Sequence, residues 1–413
     1  MHMKHLLITA TLISTAAFAE KAVVETPAEA KVEEDRMNKE WPSLDEWATA
    51  EKLKEGNLSA EVLLGYEFVD QSGNGLKNAH ALLSRARVTY EAENEEGFGG
   101  KILGQYVGPI NDHFSPEDPA YDTVNDPESF RLHEAYLSYT GYDTHARIGS
   151  QEIILDNARF IGNVGWRFNA QSFNAALVQN ESIENLKLLY AYADSINEIS
   201  GEVNHNRQYH LMNGEYKIGK NHHISAFAYL QRNDGSADID TFGARFRGKT
   251  ETFSHDAMIA FQRDAYYGSL SGMLDLEAAD IELGTEYISG GDTSRERFQT
   301  LNGTAHAFNG WADVFLDTGA GRPLGLVDVW LKGIVTPSES LDLIAVYHYF
   351  NTAAETPAGS FSGNLGNEID AMVKYKICRN FEALTGAAFY MKGESGSPTE
   401  DKTVFWLRGT LHF

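Results

Sequence analysis

The chain has 413 residues, with 34 basic and 59 acidic side chains and a formal net charge of −25. Nucleic-acid binding needs clustered Lys and Arg to displace counterions, so this balance argues against such a partner. With 42% apolar and 23% charged residues the chain is neither disordered nor a coiled coil, and one cysteine, Cys378, closes no internal disulfide. A length like this means two or three ordinary domains unless one closed β architecture takes most of it.

Residues 1–19 have the layout of a secretory signal: Lys4, an apolar run from Leu6 to Phe18, and Ala17 and Ala19 flanking a cleavage point before Glu20. The run is too short to cross a bilayer as a helix. Residues 20–59 are acid-rich with few β-branched side chains, which predicts a periplasmic tether. Ser43 and Glu46 have capping-box spacing ahead of one short helix there.

From Ala60 onward the period changes to two. Segments of roughly ten residues alternate apolar and polar side chains between clusters of Gly, Asn, Asp and Ser, which is strand patterning. They centre near residues 64, 86, 103, 136, 147, 175, 189, 213, 227, 244, 259, 273, 285, 330, 345, 373, 386 and 408. The three longest connections, 108–129, 152–171 and 290–325, all follow odd-numbered segments, whereas even-numbered ones end in tight turns such as Gly141-Tyr142-Asp143-Thr144. An even strand number with long loops at one end and short turns at the other predicts an all-β fold. The expected form is a transmembrane, antiparallel up-and-down β-barrel of about 18 strands over residues 60–413.

In the last segment Phe405, Leu407, Gly409, Leu411 and Phe413 share the apolar face, opposite Val404, Trp406, Arg408, Thr410 and His412. Its terminal aromatic, Phe413, resembles the signal by which barrel-assembly machinery recognises bacterial outer-membrane proteins. Tyr66, Phe68, Tyr106, Tyr139, Tyr347 and Tyr349 are candidates for the interfacial girdles. A soluble sandwich would explain the alternation, but not the sorting of loop lengths by strand parity.

The most specific stretch runs Arg147-Ile148-Gly149-Ser150-Gln151, then Leu155-Asp156-Asn157-Ala158-Arg159-Phe160-Ile161-Gly162-Asn163-Val164-Gly165-Trp166-Arg167, then Gln171-Ser172-Phe173. Together with Arg85-Ala86-Arg87-Val88, Phe308-Asn309-Gly310-Trp311-Ala312-Asp313 and Asp342-Leu343-Ile344-Ala345-Val346-Tyr347-His348, it resembles the alginate-export family of outer-membrane porins. The resemblance implies an 18-stranded barrel in the bacterial outer membrane of a Gram-negative cell, with the Asp156–Gln171 loop folded toward the channel. The family's named member secretes an anionic polysaccharide through an arginine-lined pore. The chain departs from the family pattern at Ser150, Phe168 and Asn174, so the resemblance speaks to fold and location more than to substrate.

If the apolar face meets lipid, the other face lines a lumen. Basic candidates for that lining are Arg85, Arg87, Arg147, Lys187, Arg245, Arg247, Lys332, Lys374, Lys376 and Arg408, interleaved with Glu61, Glu67, Glu134, Glu215, Glu282, Glu286, Asp328, Asp342 and Asp370. Arg159 and Arg167 in the inward loop, near Arg85, Arg87 and Arg147 in strand order, would form a basic constriction selecting anions. The alternative is that these arginines brace the wall against Glu61, Glu67 and Glu134. The acidic loop from Asn111 to Glu128 lacks EF-hand order, and His222 and His223 have no third ligand close in sequence, so no metal or cofactor is expected. There is no nucleophile elbow, P-loop or dinucleotide fingerprint, and no catalytic residue is assigned. The expectation is a passive channel for anionic, alginate-like saccharides or other small polar solutes. The competing readings are a non-conducting structural or adhesive surface barrel, and a polysaccharide exporter working with a periplasmic partner.

Overall fold

Alternating side chains leave a strand with one greasy and one polar face, and a sheet of such strands satisfies its backbone in lipid only by closing on itself. The computed structural model describes residues 56–94, 96–316, 323–354, 363–395 and 397–413. The first strands are β1 (Asn57–Gln71), β2 (Ala79–Glu93), β3 (Phe98–Pro109), β4 (Ser129–Gly141), β5 (Thr144–Gln151), β6 (Ser172–Ile183) and β7 (Leu186–Asn197). A two-residue stub, β8 (Val203–Asn204), precedes β9 (Arg207–Ile218), β10 (His222–Asn233), β11 (Ile239–Lys249), β12 (Phe253–Gln262) and β13 (Ala265–Asp275). The rest are β14 (Asp280–Ile288), β15 (Leu326–Ser338), β16 (Leu341–Asn351), β17 (Asn364–Cys378), β18 (Phe381–Lys392) and β19 (Lys402–His412).

Every wall strand pairs antiparallel with its neighbours, and β1 closes onto β19 in register from Glu61↔His412 to Gln71↔Lys402. The stub β8 pairs only with β7, which also pairs with β9, so the wall is a closed 18-stranded antiparallel barrel. All 18 expected segments fall on wall strands. The first strand begins at Asn57, slightly ahead of the expected boundary at Ala60. The signal, the Ser43 helix and most of the tether lie outside the described residues.

The expected faces hold. Leu58, Val88, Ile102, Leu137, Ile148, Leu283, Leu331 and Leu407 are exposed on the outer surface, while Val404, Trp406, Arg408 and Thr410 are buried on the inner one. Such an outer belt, unfavourable in water, is what hydrocarbon solvates. Tyr106, Tyr347 and Tyr349 lie on it, Tyr139 packs against Phe98, and Tyr66 bonds outward-facing His80. The period breaks once in a consequential place: a register shift opposite Leu103/Gly104 turns both His133 and Glu134 of β4 inward, and both are buried.

Candidate functional site: the lumen and its inward loops

Two long connections, 152–171 between β5 and β6 and residues 289–316 of the one between β14 and β15, enter the barrel and join there. Ile161 and Asn302 form a parallel bridge, the Gly162 amide donates to the Asn302 carbonyl at 3.1 Å, and the Thr304 amide donates to the Ala158 carbonyl at 2.8 Å. This approach requires a glycine: a Cβ on Gly303 would sit 2.0 Å from the Arg159 carbonyl oxygen. Around the junction Phe160 packs on Phe227, Tyr267 and Phe298, and Trp166 stacks on His306 with ring centroids 4.2 Å apart. The hydrophobic core of the molecule therefore lies inside the barrel, between loops and wall.

One sector of the wall, β19 with β1 to β4, is rich in arginine and grips the first loop by its carbonyls. Arg408 Nη1 donates to the Trp166 carbonyl at 2.7 Å, Arg85 Nη1 to those of Arg167 (3.3 Å) and Phe168 (3.2 Å), and Arg131 Nη2 to those of Asn169 (2.8 Å) and Ala170. Five consecutive carbonyls are thus held by three guanidiniums. Arg408 also lies 4.0 Å over the Trp166 ring.

Arg167 itself points the other way and gathers three segments. Its guanidinium meets Glu67 of β1 at 3.2 Å, Asp313 of the second loop at 3.0 Å and Asp126 of the 110–128 loop at 3.7 Å. Burial disfavours its charge, but these three carboxylates outweigh that and push the arginine upward. Asp313, buried yet beside His306 and Arg167, is held down at about 2. Asp126 is dominated by burial and raised to about 6.

A second sector, β14 to β17, is rich in carboxylates and grips the second loop by its amides. The Ala312 N–H donates to Glu368 Oε1 at 2.6 Å and the Trp311 N–H to Asp370 Oδ2 at 3.4 Å. Asn309 Nδ2 donates to Glu286 at 2.6 Å and Asp328 at 3.2 Å, and His348 Nδ1 lies 2.9 Å from Asp328. Arg159 of the first loop completes the sector with a two-pronged pair to Glu286, 2.8 and 2.7 Å, and a 2.7 Å bond to Asn309. Gly310, at φ +83°, faces Glu368 so closely that a Cβ would sit 2.6 Å from its carboxylate.

The sequence-predicted lining arginines and Lys374 fall into three groups. Arg85, Arg159, Arg167 and Arg408 are committed to loops. Arg245 bonds Asp256 of the adjacent β12 at 2.8 Å, and Arg247 bonds Glu215 of β9 at 3.1 Å, reaching across β10. Arg87 donates from Nε to Gln105 at 2.7 Å and stands 3.9 Å from Glu61, while its buried Nη2 has no hydrogen-bond partner. Arg147 lies over the Tyr136 ring at 5.3 Å, and Lys374 is half-buried; neither has a carboxylate within ion-pair distance among the described residues. Glu134 pairs with Lys101, not with an arginine as the bracing alternative had it. Sequence reasoning missed Arg131, whose place in the carbonyl ladder depends on a loop 38 residues away, and His133, which the β4 irregularity turns inward to meet Glu152 at 2.7 Å. Among the described residues no group of three or more His, Cys, Asp or Glu is placed to hold a metal ion.

Against known proteins, the model of the alginate export family matches this chain from just ahead of β2 into β13, a stretch that takes in the first inward loop. The match spans residues 73–272. No curated protein matches. Among solved structures, OpdQ of Pseudomonas aeruginosa superposes with a TM-score of 0.67 at 13% identity, covering 87% of this chain and 99% of that one. OccAB1 of Acinetobacter baumannii gives 0.65 at 12%, covering 87% and 96%, and OccK9 (OpdG) of Pseudomonas aeruginosa gives 0.66 at 11%, covering 88% and 100%. At such identities the likeness is one of fold, that of the outer-membrane porins. With its apolar belt and closed wall, this chain is a barrel of the bacterial outer membrane.

Proposed function

We propose that the barrel is a passive channel for small polar solutes, and that anionic saccharides of the alginate type are the solutes its basic sector suits. The observation that carries this is a closed barrel whose polar interior is narrowed by two loops, with Arg147 and Lys374 having no carboxylate within ion-pair distance among the described residues and Arg87 only a 3.9 Å contact to Glu61, whereas the other predicted inward arginines bond a carboxylate or a carbonyl. A cation with spare donors replaces the hydration of a passing carboxylate, and the acids interleaved on the same face keep that contact weak enough for release. No energy input and no catalytic group enter this mechanism; Arg85, Arg159, Arg167, Arg245, Arg247 and Arg408 act as braces that shape the passage.

The test is single-channel recording of refolded protein in a planar bilayer under a salt gradient, before and after adding an oligouronate. A steady conductance with anion preference that uronate blocks is expected. A correctly folded barrel with no conductance overturns the proposal. The aromatic packing of Phe160, Trp166 and Phe298 inside the lumen favours a second reading, a barrel closed at rest that serves at the surface or opens for export with a periplasmic partner. For that exporter, deleting residues 20–59 abolishes secretion and leaves single-channel current unchanged.

A further inference from the structure

On the lipid-facing side of the barrel, at the short-turn end, two histidines meet across a strand that separates them. His222 begins β10 and His255 lies near the start of β12; on β11 between them the residue in register with both is Gly248. With no side chain there the two imidazoles lean together over the glycine, and a Cβ at that position would lie 2.1 Å from His222 Nδ1. His255 Nε2 comes to 3.3 Å from His222 Nδ1, with the rings inclined by only 19°. Phe246 packs on both rings and Phe253 on His255, a wall that orients the imidazoles while both remain partly exposed.

A separation of 3.3 Å is long for a hydrogen bond between two nitrogens and suits another arrangement better. Two imidazole nitrogens each about 2.0–2.1 Å from one tetrahedral ion stand roughly 3.3 Å apart. Neutral imidazole is the usual protein ligand for late first-row divalent ions, and harder ions such as Mg2+ prefer oxygen. We propose that His222 and His255 form a two-nitrogen site for Zn2+ at the short-turn rim, with water filling the remaining positions, and that the bound ion staples β10 to β12 across β11. The site was invisible in the sequence because His222 has its adjacent His223 on the opposite face, paired with Glu215 at 3.3 Å, while its real neighbour lies 33 residues away.

The full barrel, refolded in detergent and checked by its heat-modifiable mobility, is titrated with Zn2+ alone and with Mg2+ as a control, following the temperature at which the folded band is lost. The expected result is a Zn2+-dependent rise that Mg2+ does not give, retained in His223→Ala and lost in His222→Ala and in His255→Ala. Gly248→Ala is expected to weaken it, since the methyl group displaces the His222 ring. On the unmutated protein, Cu2+ in place of Zn2+ is expected to give an electron paramagnetic resonance spectrum with coupling to two nitrogens, a readout that no folding defect of a variant touches. The absence of any Zn2+ effect on the unmutated barrel, an undiminished effect in His255→Ala, or a Cu2+ spectrum with a single coupled nitrogen each overturns the proposal.

Discussion

The arginine sector and the carboxylate sector do the same job with opposite charge. In the first, wall guanidiniums donate to the carbonyls of residues 166–170; in the second, wall carboxylates accept the amides of Trp311 and Ala312. A loop inside a barrel carries backbone groups that no sheet satisfies, and each must find a partner. The wall charges therefore serve first as partners for peptide groups, and only charges left over remain for a solute. An inward arginine in such a barrel is thus a brace until its partners have been counted.

The sharpest way to break the comparison is at Arg159, which belongs to the first loop but is anchored in the second sector. Arg159→Ala leaves Glu286 buried without its cation, a situation that costs about 3–5 kcal/mol. The expected outcome is a marked drop in the temperature at which the folded band disappears, and larger, noisier single-channel currents as both loops loosen. Unlatching the first loop alone has a smaller effect. Arg85→Ala removes two charge-assisted bonds to the carbonyls of Arg167 and Phe168, and at about 1.5–3 kcal/mol for a bond to a charged group the fold survives while mean conductance rises. Unchanged conductance in Arg85→Ala would show that the first loop does not narrow the passage.

Much of the wall was legible in the sequence, and for a physical reason: lipid outside and polar groups inside impose period two on every strand, so 18 segments, their faces and the parity of the loops follow from counting. Pairing inside the lumen was not legible, because it depends on loops that cross the barrel. Arg167 and Asp313 are 146 residues apart, and Arg408 reaches a carbonyl 242 residues before it. The family resemblance supplied the inward direction of the 152–171 loop, but that residues 289–316 join it there was not foreseen. Glu134 was placed inside correctly by parity, and His133 was missed because one extra residue in β4 defeats parity locally.

The acidic side of the comparison is sharpened by pH. Asp313 is held at about 2, below the ordinary carboxylate value, so its stabilising link to Arg167 and His306 is present above about pH 4 and fades as pH falls toward 2. Asp126 is raised to about 6, so its contribution has the reverse sign: it favours the folded form at low pH and is lost as pH rises through 6. Between pH 4 and 7 only Asp126 of this pair titrates, and the barrel is expected to lose a little stability across that window. Asp126→Asn keeps an oxygen for the Asn169 amide and removes the titration. Its thermal transition is expected to be flat over the same window, and a slope equal to that of the unmutated barrel would remove Asp126 from the account.

The smallest effect belongs outside the lumen, and it tests whether inward position rather than charge pairing as such gives the sectors their importance. Arg232 pairs with Asp240 and Asp238 beyond the lumen, where all three side chains are at least a third exposed. Exposed pairs contribute about 0–1 kcal/mol, because water already solvates both partners and ordering two long side chains opposes the attraction. Arg232→Ala is therefore expected to leave the thermal transition and the single-channel current within error of the unmutated protein. Glu368→Gln should fall between this and Arg85→Ala: the amide oxygen still accepts the Ala312 N–H, so only the charge is lost and the second loop stays docked. If Glu368→Gln instead opened the channel as widely as Arg85→Ala, the carboxylate sector would be holding its loop by net charge rather than by hydrogen bonds, and the symmetry between the two sectors would fail.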